Sequence, residues 1–300
     1  MLVHNKEFNN IKVHTQYSIC EGAIKIDELA DYCKLNKIKA IGLSDSHNLC
    51  GALEFAEKIS KAGTQPIIGT QINILSENLI GKITLYATSE NGYKNLTKLS
   101  SKSYLSIKKT HEPYCSLDDL ILNNEDLILL TGNYKDFFGK LFYANKKKQF
   151  EKIIKTLKSS YKDRIYIELQ RHGENLESNY ENYLFKLSSS YDLPIIASQE
   201  VYYLDKNMSE AHDALICIGE KQFVEDKNRF RYSDQHYFKK NEEIQKLYKD
   251  IPEALENNYN FPLRFNFKPK KSKPILPSIS NSKDISSETE LLNQAQEGLK

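Results

Sequence analysis

The stretch Ala40–Ile74, AIGLSDSHNLCGALEFAEKISKAGTQPIIGTQINI, contains one complete strand–helix–strand unit. The short apolar runs at its two ends predict β-strands. Between them, a loose apolar stripe of helical spacing is formed by Leu53, Phe55, Ala56 and Ile59. A strand, a helix and a second strand in this order predict a βα unit whose two strands run parallel.

Similar short apolar runs recur along roughly the first 200 residues, and helical patterns separate most of them. This alternation predicts a mainly parallel sheet. About seven strands in this length favour a closed barrel over two doubly wound domains. The fold class that we expect is therefore α/β. The predicted strands are Ile11–His14, Ala40–Leu43, Pro66–Ile74, Lys82–Ala87, Leu127–Leu130, Arg164–Leu169 and Pro194–Ala197.

The last third of the chain has a different pattern, which is helical or irregular beyond Tyr203. Ser209–Ile218 and Lys239–Asp250 are predicted helices. From Phe261 the chain resembles a linker, because it contains four prolines together with many serines and lysines. Ser287–Lys300 then begins a new helix. The domain boundaries that we expect are 1–270 for the barrel, 271–286 for the linker and 287–300 for the first helix of a following, truncated domain.

The composition excludes several classes of protein. Lysine plus arginine number 42 against 40 for aspartate plus glutamate, so the surface as a whole carries no electrostatic signature of nucleic-acid binding. Five cysteines without a CxxC spacing predict reduced thiols in a cytoplasm. The first ten residues lack the apolar core of a signal peptide, and no apolar stretch reaches the roughly 18 residues of a membrane span. We therefore expect a cytoplasmic protein without membrane contacts.

Polar and titratable residues follow the predicted strands at their carboxyl ends. In a βα barrel these ends carry the converging loops, so the side chains are expected at one rim. Histidine and carboxylate groups there could bind Zn²⁺, Mn²⁺ or Mg²⁺ and activate water, although polar residues at strand ends also simply enter solvent. These rim residues are His14, Asp45, Gln71, Arg171, His172, Gln199 and Glu200.

The other histidines are weaker candidates. His4 lies in the amino-terminal tail, His111 in a lysine-rich loop and His236 in a polar stretch. His212 lies on a predicted helix and is expected to form a structural hydrogen bond. His47 is considered as a substitute ligand beside Ser46, but a neighbouring residue is expected to point elsewhere.

Several motifs resemble the polymerase-and-histidinol-phosphatase (PHP) superfamily. Val13–Ser18 (VHTQYS) is similar to its opening motif, and Ser44–Gly51 (SDSHNLCG) and Pro66–Gly69 (PIIG) continue the similarity. Within the superfamily the chain most resembles the family of bacterial DNA polymerase III alpha subunits. The block Gly92–Leu96 (GYKNL) with Leu99–Ser101 (LSS) and the block Glu168–His172 (ELQRH) are specific to that family. The resemblance extends over nearly the whole chain.

The resemblance implies a distorted seven-stranded (β/α) barrel at the amino end of a much longer replicative DNA-directed DNA polymerase, a nucleotidyltransferase. In that family a palm domain carries the aspartates that hold Mg²⁺, and these would lie beyond Lys300. The implied partners are the proofreading exonuclease subunit, the other subunits of the polymerase III holoenzyme and, through the missing domains, DNA. This segment alone is therefore expected to be a non-catalytic scaffold that docks the exonuclease and supports the polymerase core.

The ligand set that the resemblance implies is incomplete in this chain. Family members with an intact site have an HxH pair, an Asp-His pair, a glutamate after the third strand and a late Asp-x-His. Lys12, Ser46, Gln71 and Tyr202 stand where four of these ligands are expected, whereas His14 and Asp45 are retained and Glu200 stands for the late aspartate. An ammonium group has no lone pair for a metal, and glutamine brings no negative charge.

We therefore expect a vestigial pocket without a catalytic residue, a metal cluster or another cofactor. Lys12 is expected to occupy the place of a cation and to pair with Asp45 or Glu200. If the pocket held a metal, His14 would join these two carboxylates as the best candidate ligands. The expected pocket residues are Lys12, His14, Asp45, Ser46, Gln71, Arg171, His172, Glu200 and Tyr202.

Two alternatives from other classes remain open. One is a metal-dependent phosphoesterase or a built-in 3′–5′ exonuclease, which intact PHP sites make plausible in general. The other is a binder of single-stranded nucleic acid, because the chain has 19 tyrosines, 13 phenylalanines and basic runs at Lys146–Lys148 and Lys268–Lys273. Apolar core positions for the aromatics and solvated loops for the lysines explain the same residues more simply.

Overall fold

The computed structural model describes residues 6–105, 107, 112–274 and 285–300. His4, His111 and most of the predicted linker, 275–284, lie outside these residues. Contacts divide the chain into two compact units, Met1–Pro269 and Lys270–Lys300. The second unit contains a helix whose residues are all at least partly exposed. In the described part of the chain, no helix is both long and apolar enough to cross a membrane.

The strands of the first unit form a single sheet. Its strands, in the described residues, are β1 Lys12–Val13, β2 Ala40–Leu43, β3 Gln65–Ser76, β4 Leu79–Ala87, β5 Cys115–Ser116, β6 Leu127–Leu130, β7 Ile165–Gln170, β8 Ile195–Ser198 and β9 Glu200–Val201. The helices are α1 Ile26–Leu35, α2 Ala52–Lys61, α3 Glu90–Leu105, α4 Leu117–Leu122, α5 Phe137–Tyr143, α6 Lys147–Tyr161, α7 Glu177–Tyr191, α8 Ser209–Glu220, α9 Asn241–Leu247, α10 Pro252–Asn260 and, in the second unit, α11 Ser287–Gly298. Two 3₁₀ turns cover Lys206–Met208 and Phe261–Arg264.

The sheet is nearly closed into a barrel. Its strand order is β8-β7-β6-β4-β3-β2-β1-β9, with β5 paired beside β3. Only Gln199 separates β8 from β9, so the two edges of the sheet meet in one bent stretch of chain. If β8 and β9 are counted as one strand and the short β5 is set aside, seven strands surround the interior. The predicted α/β barrel fold is confirmed.

One part of the sheet departs from the parallel pattern. β4 pairs antiparallel with both β3 and β6. The link from β3 to β4 is only two residues, Glu77 and Asn78, and a parallel partner needs a crossover of a dozen residues or more. Glu77 adopts the left-handed conformation that such a tight turn requires, with φ of 54°.

The seven predicted strands are all present: β2 and β6 have the predicted bounds, β7 and β8 are shifted by one residue, and the other three have changed lengths. β1 covers only Lys12–Val13, whereas β3 extends to Ser76. The helix that was expected within Ala40–Ile74 is α2. Its stripe residues Phe55, Ala56 and Ile59 are fully buried, whereas Leu53 is half-buried. This helix packs on α1 outside the barrel.

Two phenylalanines close the amino end of the barrel. Phe261 and Phe265 have exposed fractions of 1% and 6% and belong to the same apolar cluster as Ile11, Ile67 and Tyr86. The Phe261 ring meets the Tyr86 ring edge to face, with centroids 5.6 Å apart. The expectation of a linker from Phe261 onward is therefore wrong for these first residues. Proline frequency signals a loop, but it does not show that aromatic side chains in that loop fill a core.

Candidate polar site at the mouth of the barrel

Charged and polar side chains gather inside the barrel near the carboxyl ends of its strands. Lys12 is in β1, Gln71 in β3, Glu168 in β7 and Glu200 in β9, and Asp136 lies in the loop after β6. Parallel strands bring these positions to one end of the barrel. All five side chains are buried. The site therefore has a charged interior whose side chains have little contact with solvent.

The central group is the ammonium of Lys12. Its Nζ lies 3.4 Å from Asp136 Oδ2, 3.5 Å from Glu168 Oε1 and 3.5 Å from Glu200 Oε1. Burial alone would lower the pKa of Lys12, but the three carboxylates outweigh it and raise this pKa above its usual value. Lys12 therefore remains charged at neutral pH.

Glu200 is the most fully satisfied of the three carboxylates. Its Oε1 lies 3.1 Å from His14 Nε2 and accepts a hydrogen bond of 2.8 Å from Gln71 Nε2, and its Oε2 accepts one of 3.2 Å from Asn133 Nδ2. Burial opposes ionisation, but Lys12 and His14 hold the pKa of Glu200 well below its ordinary value. At Asp136 the balance is reversed, and burial raises the pKa in spite of Lys12.

The predicted pairing of Lys12 with Glu200 is present, whereas pairing with Asp45 is wrong. Both Asp45 oxygens are already used: they accept hydrogen bonds from the Thr15 backbone N–H (2.6 Å) and from the hydroxyls of Thr15 and Ser18 (both 2.7 Å). Asp45 lies in the loop after β2, where it organises the turn that follows β1. It is a local structural carboxylate rather than the counter-ion of Lys12.

Two partners of Lys12 were not found by sequence reasoning. Glu168 is a charged residue within the buried strand IYIELQ, and such a residue in an apolar strand is a usable signal of an internal partner. Its Oε1 also accepts hydrogen bonds from Gln170 Nε2, at 2.7 Å, and from Ser198. Asp136 follows β6 by six residues in an irregular loop, and no periodic pattern marks it.

The other substituted ligand positions also have ordinary partners. Tyr202 stacks on the His14 ring with centroids 4.4 Å apart, and the His14 Nδ1 lies 3.1 Å from the Ser18 hydroxyl. Ser46 donates its hydroxyl to Glu21, which also binds Lys82 at 2.8 Å. Hydrogen bonds therefore occupy the Ser46 hydroxyl and the His14 Nδ1, and the Tyr202 hydroxyl accepts one of 3.2 Å from the Tyr232 hydroxyl.

Arg171 does not contribute to the pocket. Its guanidinium binds Glu181 and Asp250, each at 2.6 Å, and so ties α7 to the turn between α9 and α10. Strand alternation explains the difference, because residues two apart share a face and adjacent residues do not. His172, which shares the face of Gln170, is near the site: its Nε2 is 3.3 Å from Gln170 Oε1.

His236 was underestimated from the sequence. It is buried and stacks on His172 with ring centroids 3.9 Å apart, and its Nδ1 is 3.1 Å from the Glu200 carbonyl oxygen. Burial lowers the pKa of both histidines. His212 forms the structural hydrogen bond that was expected of it, at 2.7 Å from the Glu21 carbonyl oxygen. Gln199 bonds to the Tyr248 hydroxyl at 2.8 Å instead of facing Lys12.

A cavity of about 720 Å³ opens above the charged cluster. Asp136 and Glu200 contribute to its lining, together with Tyr134, Tyr202 and Tyr232. Lys135 also lines it and binds Glu174 at 2.8 Å. The cavity is large enough for a small ligand.

The residues present do not fit a metal centre. Among the described residues, no group of three or more histidine, cysteine, aspartate or glutamate side chains is arranged to hold a metal ion. The three carboxylates that do converge share the ammonium of Lys12. A divalent cation beside this group would meet electrostatic repulsion in a medium of low dielectric constant.

A nearly closed α/β barrel with a polar mouth at the carboxyl ends of its strands defines the structural class. The chain belongs to the PHP domain family, whose model matches residues 10–172. It is 36% identical to DNA polymerase III subunit alpha of Caulobacter vibrioides, over 98% of this chain and 26% of that protein. The same subunit of Rickettsia bellii is 35% identical (98% and 25%), and that of Vibrio cholerae is 31% identical (98% and 26%). The chain spans about a quarter of the length of these relatives.

Solved structures with a related fold are more distant. An amidohydrolase from Chromobacterium violaceum has 10% identity and a TM-score of 0.43, with 65% of this chain and 87% of that chain covered. A two-domain protein from Bacteroides vulgatus, which contains a predicted PHP-like metal-dependent phosphoesterase, has 10% identity and a TM-score of 0.39. That comparison covers 79% of this chain and 62% of the other.

Proposed function

We propose that this PHP domain is a non-catalytic scaffold of a replicative DNA polymerase, at the place that it occupies in DNA polymerase III subunit alpha. It supports the polymerase core in the cytoplasm and docks the proofreading exonuclease subunit of the holoenzyme. The segment needs no cofactor of its own, and Mg²⁺ belongs to the polymerase domain outside it. The similarity over 98% of the chain to the alpha subunits supports this placement.

The observation that carries the non-catalytic assignment is the environment of Lys12. Its ammonium group is fully buried and is shared by Asp136, Glu168 and Glu200. Hydrolysis of a phosphoester by this family's chemistry requires metal ions that activate water and neutralise the phosphate. An internal lysine supplies one fixed positive charge but no site at which water could be activated.

The same cluster has a structural role. Lys12 in β1 is joined to Glu168 in β7, to Glu200 in β9 and to the loop after β6 that carries Asp136. β1 and β9 are paired neighbours at one edge of the sheet, whereas β6 and β7 are paired neighbours near the other edge. The ion cluster therefore connects the interior of the barrel across its closure and holds in place the loops that surround its mouth.

Docking of the exonuclease is tested by titrating the 300-residue chain with the purified proofreading exonuclease subunit of the same organism in a calorimeter. The proposal predicts saturable binding near one-to-one stoichiometry. In the control titration, an unrelated PHP phosphatase takes the place of the 300-residue chain. If the chain gives no more heat than this control, the docking role is wrong.

The catalytic alternative has its own test. A mismatched, end-labelled primer–template and p-nitrophenyl phosphate are incubated with the chain and with Mn²⁺, Zn²⁺ or Mg²⁺. The scaffold proposal predicts no release above a blank without protein. Metal-dependent release that His14→Ala abolishes would establish a phosphoesterase or 3′–5′ exonuclease instead.

A further inference from the structure

Helix α6 carries three lysines in one row on its outer face, which we call the lysine row: Lys148, Lys152 and Lys155. All three side chains are exposed. Their spacings of four and three residues place them on one side of the helix. The opposite side is buried in the core and consists of Phe150, Ile153, Ile154, Leu157 and Tyr161.

The lysine row lacks acidic partners. Among the described residues, the side chains of Lys148 and Lys152 form no ion pair or hydrogen bond. The only contact of the Lys155 ammonium within these residues is with the face of the Tyr191 ring, whose centroid is 5.4 Å from Nζ. The helix has a single acidic residue, Glu151. Its carboxylate accepts hydrogen bonds from Tyr191, at 3.0 Å, and from a second tyrosine of α7.

Some lysines on other helices have acidic partners on the same helix. Lys58 pairs with Glu54 at 2.7 Å and Lys94 with Glu90 at 3.0 Å, both across one helical turn. Such pairs stabilise a helix, whereas like charges at the same spacing destabilise it. Helix α3 also has lysines four residues apart, but Lys94 and Lys102 there each pair with a carboxylate. On α6 no ion pair within the described residues offsets the repulsion between Lys148 and Lys152.

The beginning of α6 is unfavourable as well. Lys147 and Lys148 occupy its first turn, Lys146 precedes them, and the turn has no acidic residue. In the part of the chain that the structure describes, every other helix of eight or more residues has aspartate or glutamate in its first turn. Cations at a helix N-terminus oppose the helix dipole. Residues that break a local rule without structural benefit are expected at functional surfaces.

We propose that the lysine row of α6 binds the phosphate backbone of DNA. The inference rests on the proposed place of the chain in a polymerase that works on DNA. Phosphates relieve both the repulsion within the row and the unfavourable charge at the helix start. The row extends about 10 Å along the helix axis, which matches about three nucleotide steps of one DNA strand.

The surface around the row favours a backbone over a protein partner. Protein interfaces usually have an apolar centre with aromatic anchors. No large apolar side chain of α6 is exposed, and the neighbouring outer positions are Thr156 and Ser159. Charge without an apolar anchor is the pattern of sequence-independent phosphate binding, in which the released counterions supply the affinity.

The test compares the 300-residue chain with a triple variant, Lys148→Glu, Lys152→Glu and Lys155→Glu. Binding of a fluorescein-labelled duplex and of the corresponding single strand is followed by anisotropy in EDTA, between about 50 and 200 mM salt. We expect the triple variant to lose at least about tenfold in affinity at the lowest salt. Its plot of log affinity against log salt is expected to be less steep by about 2.7 for the duplex and about 2.1 for the single strand.

A matched control has the same change in net charge at another place. Lys34, Lys61 and Lys98 are exposed residues of α1, α2 and α3 whose side chains make no ion pair within the described residues. Replacing all three by glutamate is expected to change the affinity by no more than about twofold, because distant exposed charges are screened. Thermal unfolding of the α6 variant is expected at the same temperature as the wild-type chain or higher, since glutamate suits a helix start.

Loss of binding together with retained stability in the α6 variant, but not in the control, supports the proposal. Unchanged binding in the α6 variant, or equal losses in both variants, would overturn it. A poly-glutamate peptide that binds as tightly as DNA, and only to the wild-type row, would assign the surface to an acidic protein instead. Because EDTA is present and no exonuclease is added, a failure of the scaffold proposal would leave these results unchanged.

Discussion

Lys12 contacts carboxylates from three different segments of the barrel, and none of its side chain reaches solvent. A buried ion cluster of this kind is not by itself strongly stabilising, because desolvation of the charges offsets their attraction. Its importance appears when one member is removed. The remaining carboxylates would then be buried without a counter-charge.

Lys12→Met is therefore expected to lower the free energy of unfolding by about 3–5 kcal/mol. The measurement is urea denaturation of the 300-residue chain followed by circular dichroism. Lys58→Met is the control, since Lys58 pairs with Glu54 and Asp27 on the surface, and it should unfold near the wild-type midpoint. A Lys12 variant as stable as this control would show that the cluster does not hold the barrel together.

The buried histidines predict a dependence of stability on pH. The pKa values of His172 and His236 are lowered by burial, and that of His47 is lowered to about 4. Between pH 7 and pH 5 the unfolded chain therefore binds protons that the folded chain does not, so stability falls as the pH falls. Each such histidine contributes up to about 2 kcal/mol over this range.

His172→Gln should make the decrease in stability between pH 7 and pH 5 smaller than in the wild-type chain. Urea midpoints measured at several pH values in this range provide the test. A second substitution, of the half-buried His47, should have the same effect, because its pKa is also lowered. If both variants lost stability on acidification as steeply as the wild type, these histidines would not be the source of the effect.

At the scale of the structural elements, the 3₁₀ turn Phe261–Arg264 determines how the barrel is closed at its amino end. Phe261 and Phe265 pack against Tyr86, and the Tyr86 hydroxyl donates a hydrogen bond of 2.7 Å to the Ile11 carbonyl oxygen. Arg264 binds Asp163 at 2.8 Å at the surface. The turn is therefore part of the barrel domain in both packing and charge.

Phe261→Ala should lower the free energy of unfolding by about 3–5 kcal/mol, through lost burial and the cavity that it leaves. Leu263→Ala is a close control, because Leu263 lies in the same turn with 83% of its surface exposed. It should change stability by no more than about 0.5 kcal/mol. Equal effects of the two substitutions in chemical denaturation would show that Phe261 does not close the amino end of the barrel.

At the scale of the whole molecule, sequence periodicity was enough to predict the seven main strands, because most of them are short runs rich in apolar residues. The reversal at β4 was not predicted, since strand direction depends on the two-residue turn at Glu77 rather than on the strand itself. The closure of the barrel at Gln199, between β8 and β9, was not predicted either, because it depends on contacts between residues far apart in the sequence. Family motifs located His14, Gln71 and Glu200 in one site, and the structure brings them together.

The partners of Lys12 were harder to predict. Glu168 was noticed only as part of a family motif, and Asp136 lies in a loop whose path no local pattern determines. His236 comes from a polar segment that folds back over the mouth of the barrel, where it stacks on His172. Pairings between residues far apart in sequence depend on the packing of the complete barrel, and a single sequence does not encode them in any local pattern.

The central claim is that a protein ammonium group takes the place of a metal ion in this PHP domain. The most direct measurement is elemental analysis of the chain after purification without chelator and dialysis against excess Zn²⁺ or Mn²⁺. We expect metal far below one equivalent per chain, and no increase in the unfolding temperature when either ion is added. One or more equivalents of tightly bound metal, with a higher unfolding temperature that EDTA reverses, would contradict the claim.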